Sequence, residues 1–130
     1  MMQKKAFVVP CLILLALLLT VESNAGVKAG WGKTRGREVA LEMRVSEAVP
    51  SLIIVRLHMA TELQIVGITP EPKKRDDSGR GLKLLFDDLK PGINRITITA
   101  DKRIRKQDIS GNIMYKDPDT GTMEKSSIKW

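Results

Sequence analysis

The chain has 130 residues, one cysteine, one histidine and a formal net charge of +7 at neutral pH. Its length suits a single domain. The scarcity of cysteine and histidine excludes a disulfide framework and the common zinc sites. The basic excess favours anionic partners in general and is weak evidence for nucleic acid in particular.

Residues 1–25 have the three parts of a secretory signal peptide. Two lysines form a positive start, residues 6–21 form an apolar run, and the small residues Ser23 and Ala25 precede the expected cleavage site. The apolar run is shorter than the about 20 residues that span a bilayer. We therefore expect cleavage and export to the periplasm or the cell exterior, and no transmembrane span afterwards; the alternative is an uncleaved membrane anchor.

Cleavage after Ala25 removes Cys11, which is the only cysteine, together with two lysines and one glutamate. The mature chain therefore has a net charge of +6 and no thiol. Without a thiol it offers no disulfide, no thiolate metal site and no cysteine nucleophile. Export argues further against nucleic acid as a partner.

Residues 26–37 hold four glycines and four basic residues and show no apolar periodicity. This composition is typical of a flexible segment. The sequence therefore predicts a flexible basic leader, with the folded domain over residues 38–130. Trp31 is expected to lie outside the core, as an anchor at a membrane interface or a partner.

From residue 38 onward, short runs rich in β-branched residues are separated by proline, glycine, aspartate and serine. Apolar residues alternate at positions 39, 41, 43 and 45, which is the pattern of a strand with one buried face. The predicted strands cover residues 39–45, 52–59, 62–69, 82–86, 93–100, 109–116 and 122–130.

The connections carry clear turn signals. Pro91 and Gly92 are the residues that a type II turn requires, and Gly121 supplies a positive φ in the last hairpin. Residues 70–81 contain no apolar residue except proline and predict a long charged loop, the kind of segment that often carries function.

Seven short strands with turn signals about every ten residues indicate an all-β fold, a seven-stranded immunoglobulin-like sandwich. An up-and-down barrel is the alternative fold. Several neighbouring strands have apolar residues on one face only, which favours two packed sheets.

Four segments together resemble the bacterial immunoglobulin-like modules of exported and surface proteins: residues 49–55, 68–72, 86–92 with a Leu-Lys-Pro-Gly turn, and 110–115 with a Gly-x-Ile-x-Tyr run. The resemblance covers residues 38–130. The cysteine pair and core tryptophan of antibody domains are missing. The resemblance implies a role in binding or assembly, without catalysis.

The residues offer little chemistry for catalysis. His58 lies in an apolar strand and is interpreted as structural or surface-facing, and no glycine-rich loop links a strand to a helix. Asp76 and Asp77 lie beside basic residues, while Asp117 begins an ordinary turn, so we expect no calcium site. The sequence therefore predicts no enzyme, no catalytic residue, no metal ligand and no cofactor.

Two basic clusters remain as candidate binding residues. If their loops share one end of the sandwich, they form a positive face for an envelope protein or an anionic envelope polymer; otherwise they are solvated loops. The residues of this predicted face are Lys73, Lys74, Arg75, Arg80, Lys102, Arg103, Arg105 and Lys106.

The function most favoured is an exported, non-catalytic immunoglobulin-like module that mediates macromolecular binding or assembly in the cell envelope. Two other classes stay open: a periplasmic carrier or sensor of a small anionic ligand or metal ion, and an exported hydrolase. A cavity lined by convergent polar groups would favour the carrier. The sequence leaves the identity of the partner and the oligomeric state open.

Overall fold

A computed structural model describes residues 26–60 and 62–130. This part of the chain contains nine strands and one short 3₁₀ helix, Lys106–Asp108. The strands are β1 (Val27–Arg35), β2 (Glu38–Val45), β3 (Ile53–Met59), β4 (Ile65–Thr69), β5 (Lys74–Ser78), β6 (Gly81–Phe86), β7 (Gly92–Ala100), β8 (Ile109–Lys116) and β9 (Met123–Ser127). The signal peptide predicted over residues 1–25 lies outside the described residues.

The strands form two antiparallel sheets around one core. The first sheet has the order β1-β2-β7-β4, and the second has the order β5-β6-β3-β8-β9. The prediction of an all-β fold built from two packed sheets is therefore confirmed, with nine strands in place of seven.

The core forms because alternate side chains of each strand point inward. On β2, Val39, Leu41 and Met43 are all at most 1% exposed, as the alternation predicts. Ile53 on β3 and Ile98 on β7 are also fully buried. Burial of each such side chain contributes about 1.5–3 kcal/mol, so these inward rows supply most of the driving force for folding.

Residues 26–37 are not a flexible leader, and the domain does not begin at residue 38. They contain β1, the edge strand of the first sheet, which pairs with β2 in the register Val27↔Val45 and Trp31↔Leu41. Val27 and Trp31 are buried in the core. Their period-2 spacing is a strand signal, but glycines and lysines between them conceal it.

Residues 70–81 are not one continuous loop. They contain β5, which pairs with β6 through a turn in which Gly79 has a φ of 58°. All five residues of β5 are exposed. A strand at the edge of a sheet that buries no side chain has no apolar pattern, and for this reason the sequence predicts a loop here.

The last strand is shorter than predicted because the chain leaves the second sheet after Ser127. Ile128 donates a backbone hydrogen bond to Gly111 at 2.9 Å, and Lys129 then reaches the free edge of β1, where its carbonyl accepts a hydrogen bond from the Trp31 amide at 2.7 Å. Trp130 stacks on Trp31, with ring centroids 5.3 Å apart. The C-terminal residues therefore join the two sheets.

The turn before β7 depends on glycine. Gly92 has a φ of 99°, and the Asn94 amide donates to the carbonyl of Lys90 at 2.7 Å, which fixes the turn. We expect Gly92→Val to lower the free energy of unfolding by about 1–3 kcal/mol, because a β-branched residue resists positive φ. Thermal unfolding of the two proteins measures this loss.

Gly67→Val is the matched control. Gly67 lies in β4 with an ordinary φ, and an added Cβ would meet only Thr99, at 3.8 Å. We expect this variant to melt close to the wild type. Equal melting midpoints for Gly92→Val and the wild type would mean that the turn does not constrain the fold.

Candidate functional site

Three connections meet at one end of the sandwich: the β1–β2 turn, the β5–β6 turn and the β7–β8 connection. The Ile104 amide donates to the Gly36 carbonyl at 2.9 Å, and the Ala100 amide donates to the Arg37 carbonyl at 2.8 Å. These two bonds join the β7–β8 connection to the β1–β2 turn. We call this region the basic end, defined by Arg37, Arg80, Lys102, Arg103, Arg105 and Lys106.

The β7–β8 connection has a buried framework. Ile104 is 3% exposed and belongs to the core, and Asp108 is 5% exposed. The Asp108 carboxylate accepts the Arg105 amide at 3.0 Å, and the Asp108 carbonyl accepts the Ala60 amide at 3.0 Å. The backbone that carries the basic side chains is therefore held in place by buried residues and hydrogen bonds.

Further hydrogen bonds bring the other loops to the same end. Asp101 donates its amide to the Gln64 carbonyl at 2.9 Å, and the Gln64 amide donates to the Asp101 carboxylate at 3.0 Å. The Arg80 carbonyl accepts the Met59 amide at 2.9 Å, and its guanidinium donates to the Ala60 carbonyl at 3.3 Å. The basic end is thus organised before any partner binds.

Positive charge dominates this end. All six cationic residues are exposed, whereas the carboxylates in the same three connections are those of Asp101 and Asp108, with Glu62 in the neighbouring β3–β4 connection. Arg105 forms an ion pair with Asp108 at 3.5 Å. Within the described part of the chain, Arg37, Arg80, Lys102, Arg103 and Lys106 form no salt bridge with a carboxylate. Such a concentration of one sign attracts anions.

Five residues of the predicted face lie together at the basic end: Arg80, Lys102, Arg103, Arg105 and Lys106. Lys73 and Lys74 do not. Lys74 pairs with Leu85, and Lys73 donates its amide to the Leu85 carbonyl at 2.8 Å, near the opposite end of β6. The Lys73 ammonium is also paired with Asp87 at 3.1 Å. The structure therefore separates Lys73 and Lys74 from the basic end, because the segment that carries them extends as a strand.

Arg75 has a structural role instead. Its guanidinium is paired with Asp77 at 3.0 Å and donates a hydrogen bond to the Ile65 carbonyl. Ile65 begins β4 in the first sheet, whereas Arg75 lies on β5 in the second. Arg75 therefore links the edge strands β4 and β5 of the two sheets. It does not contribute to the basic end.

Sequence reasoning missed Arg37. The run Arg35-Gly36-Arg37 is a turn flanked by basic residues, and Gly36 has a φ of 62°. A flexible leader over residues 26–37 contains no such turn, so the sequence interpretation does not place Arg37 in the face. Recognising the alternation of Val27 and Trp31 as a strand would have placed Arg37 at an end of the sandwich.

Other candidate chemistry is accounted for by the fold. His58 is exposed on β3, which agrees with the interpretation of this residue as surface-facing. The Asp117 carboxylate accepts the Asp119 amide at 2.8 Å within its own turn. In residues 26–60 and 62–130, no group of three or more histidine, cysteine, aspartate or glutamate side chains is placed to hold a metal ion.

No helix in the described part of the chain is long and apolar enough to cross a membrane. Comparison with known proteins found no family model, no curated protein and no solved structure that matches this chain.

Proposed function

We propose that this chain is an exported, non-catalytic immunoglobulin-like module that binds an anionic macromolecule of the cell envelope through its basic end. The observation that carries the proposal is the group of cationic side chains, Arg37, Arg80, Lys102, Arg103 and Lys106, on three joined connections. Exposed cations without carboxylate partners are available to an anionic ligand at little desolvation cost.

The order of the strands supports the immunoglobulin-like part of the proposal. Constant-type immunoglobulin domains place strands A, B, E and D in one sheet and C, F and G in the other. Here β1-β2-β7-β4 fits the first order and β3-β8-β9 fits the second. The hairpin of β5 and β6 is then an insertion between strands D and E that extends the second sheet beyond β3.

An extended partner suits this end better than a small ligand. The cations come from three separate connections, so a polymer with repeated negative charges can contact several of them at once. Export is the remaining part of the proposal, and it rests on the signal-peptide pattern of residues 1–25. An anionic envelope polymer or an acidic envelope protein has repeated negative charges and is located where an exported protein can reach it.

Titration with inorganic polyphosphate tests the proposal, because this probe offers negative charge without other chemistry. We expect the affinity to fall steeply as salt rises from about 0.01 M to about 0.15 M, since the screening length shortens from about 30 Å to about 8 Å. Calorimetry at several salt concentrations measures the slope. Absence of binding at low salt, or binding that salt does not change, would refute a charge-based site.

A further inference from the structure

A groove lies on the outer face of the second sheet, next to the basic end. It has a volume of about 390 Å³ and is open to solvent along one side. Its polar and aromatic lining comes from three strands and the C-terminal residue: Arg56, His58, Ser110, Asn112, Ser127 and Trp130.

Trp130 is a fixed aromatic wall of this groove. Its ring stacks on the buried Trp31 with an interplanar angle of 25°, and the preceding residue, Lys129, is hydrogen-bonded to β1. Trp130 itself is 44% exposed. An indole that is held on one side and partly open on the other offers a preorganised surface for stacking.

Polar side chains continue from the tryptophan across the sheet. In the strand register, Asn112 lies opposite Arg56 on one side and opposite Ser127 on the other. His58 and Ser110 form the neighbouring pair. These side chains supply donors and acceptors on a single face.

The side-chain carbonyl of Asn112 is an acceptor without a partner in the described part of the chain. Its Oδ1 atom is buried and has no hydrogen-bond partner among the described residues. Rotation of this side chain toward a bound molecule therefore breaks no hydrogen bond at Oδ1. A buried acceptor without a partner is unfavourable, so a ligand that donates a hydrogen bond to it removes this cost and binds more tightly.

The groove and the basic end form one surface. The ammonium of Lys106 lies 5.8 Å from the centroid of the Trp130 ring. On the other side, His58 pairs with Gly81, which follows Arg80 in the chain. The basic end therefore adjoins the groove, with the Lys106 ammonium beside its indole.

We infer that the groove binds a segment of an acidic polysaccharide, and that this polymer is the anionic partner of the basic end. The inference rests on the proposed function and names its ligand class. A sugar ring presents apolar C–H groups that stack on an indole and hydroxyls that pair with amide and hydroxyl side chains. Its carboxylate or sulfate pairs with Arg56, whose planar guanidinium suits such anions.

The lining argues against a lipid chain as occupant. Apart from the indole, the exposed side chains of the lining are polar, and its apolar side chains, Leu57 and Ile128, are only 2% and 6% exposed. An acyl chain requires a continuous exposed apolar strip. An unstructured acidic peptide would use the same charges but would gain little from a single aromatic wall. The combination of one indole, an amide, two hydroxyls and a guanidinium matches a saccharide best.

Calorimetric titration with hexagalacturonate, maltohexaose and polyphosphate tests the inference. We expect the full chain to bind the acidic hexasaccharide and not the neutral one. Trp130→Ala and Arg56→Gln should each weaken hexagalacturonate binding by about tenfold, which is the loss of one stacking or ionic contact. Polyphosphate binding should change little in either variant.

Lys83→Gln is the matched control for Arg56→Gln, because Lys83 lies opposite Arg56 on β6 and does not line the groove. It should leave hexagalacturonate binding unchanged. If Trp130→Ala lowers the melting midpoint, Arg56→Gln decides the test. If folded variants bind hexagalacturonate as the wild type does, the groove is not its binding site, and the proposal for the basic end is unaffected. If the wild type binds hexagalacturonate but not polyphosphate, the charge-based site at the basic end is refuted and the groove is not.

Discussion

Gly111→Ala should unfold at a temperature about 4–24 °C below the wild type, from a loss of about 1–3 kcal/mol. A Cβ atom at this position would lie 2.6 Å from the Arg56 carbonyl oxygen and 2.9 Å from the Leu57 side chain. The oxygen belongs to the backbone of β3, so it cannot move aside without distorting the β3–β8 pairing.

The same substitution should loosen the C-terminal residues. The added Cβ would lie 3.0 Å from the Ile128 side chain, whose amide is bonded to Gly111. A change of tryptophan fluorescence at temperatures below the main transition would report separation of Trp31 and Trp130. Both signals come from one methyl group, because this position joins β3, β8 and the C-terminal segment.

Ser110→Ala serves as the control on the same strand. Ser110 is exposed on the outer face, so loss of its hydroxyl should change the free energy of unfolding by no more than about 0.5 kcal/mol. If Gly111→Ala and Ser110→Ala have the same melting midpoint, β8 tolerates a side chain at position 111. That result would contradict the close approach of β3 to β8 at this position.

Strands with a buried face were predictable from the sequence. The alternation over 39–45 gives β2, and Leu82 to Phe86 gives nearly all of β6, because burial of one face imposes a period of two. The two strands that were missed are both edges. In β1 the small glycines interrupt the pattern, and in β5 no side chain is buried, so neither has the signal of a core strand.

The candidate site was only partly predictable, for a geometric reason. Basic residues that are close in sequence, such as Lys74 and Arg80, lie toward opposite ends of a hairpin once β5 is extended. Residues far apart in sequence, such as Arg37 and Arg103, are brought to one end by the pairing of β1, β2 and β7. Charge is visible in the sequence, but the end of the sandwich to which it belongs depends on strand boundaries.

Reversing the charge of Arg37, Lys102 and Arg103 to glutamate should weaken polyphosphate binding by about tenfold or more, because each exposed attraction of about 0.2–1 kcal/mol becomes a repulsion. All three side chains are exposed, so the fold should be retained. The matched control reverses Lys28, Lys90 and Lys116, which are exposed and lie outside the basic end.

The control has the same net charge as the reversed variant, so the comparison separates a located site from a general basic excess. Side-by-side titration of the two triple variants with polyphosphate at low salt is the most direct measurement. Binding that is lost when Arg37, Lys102 and Arg103 are reversed and largely kept in the control is the expected result. Equal losses in the two variants would show that net charge alone governs binding and would contradict a binding site at the basic end.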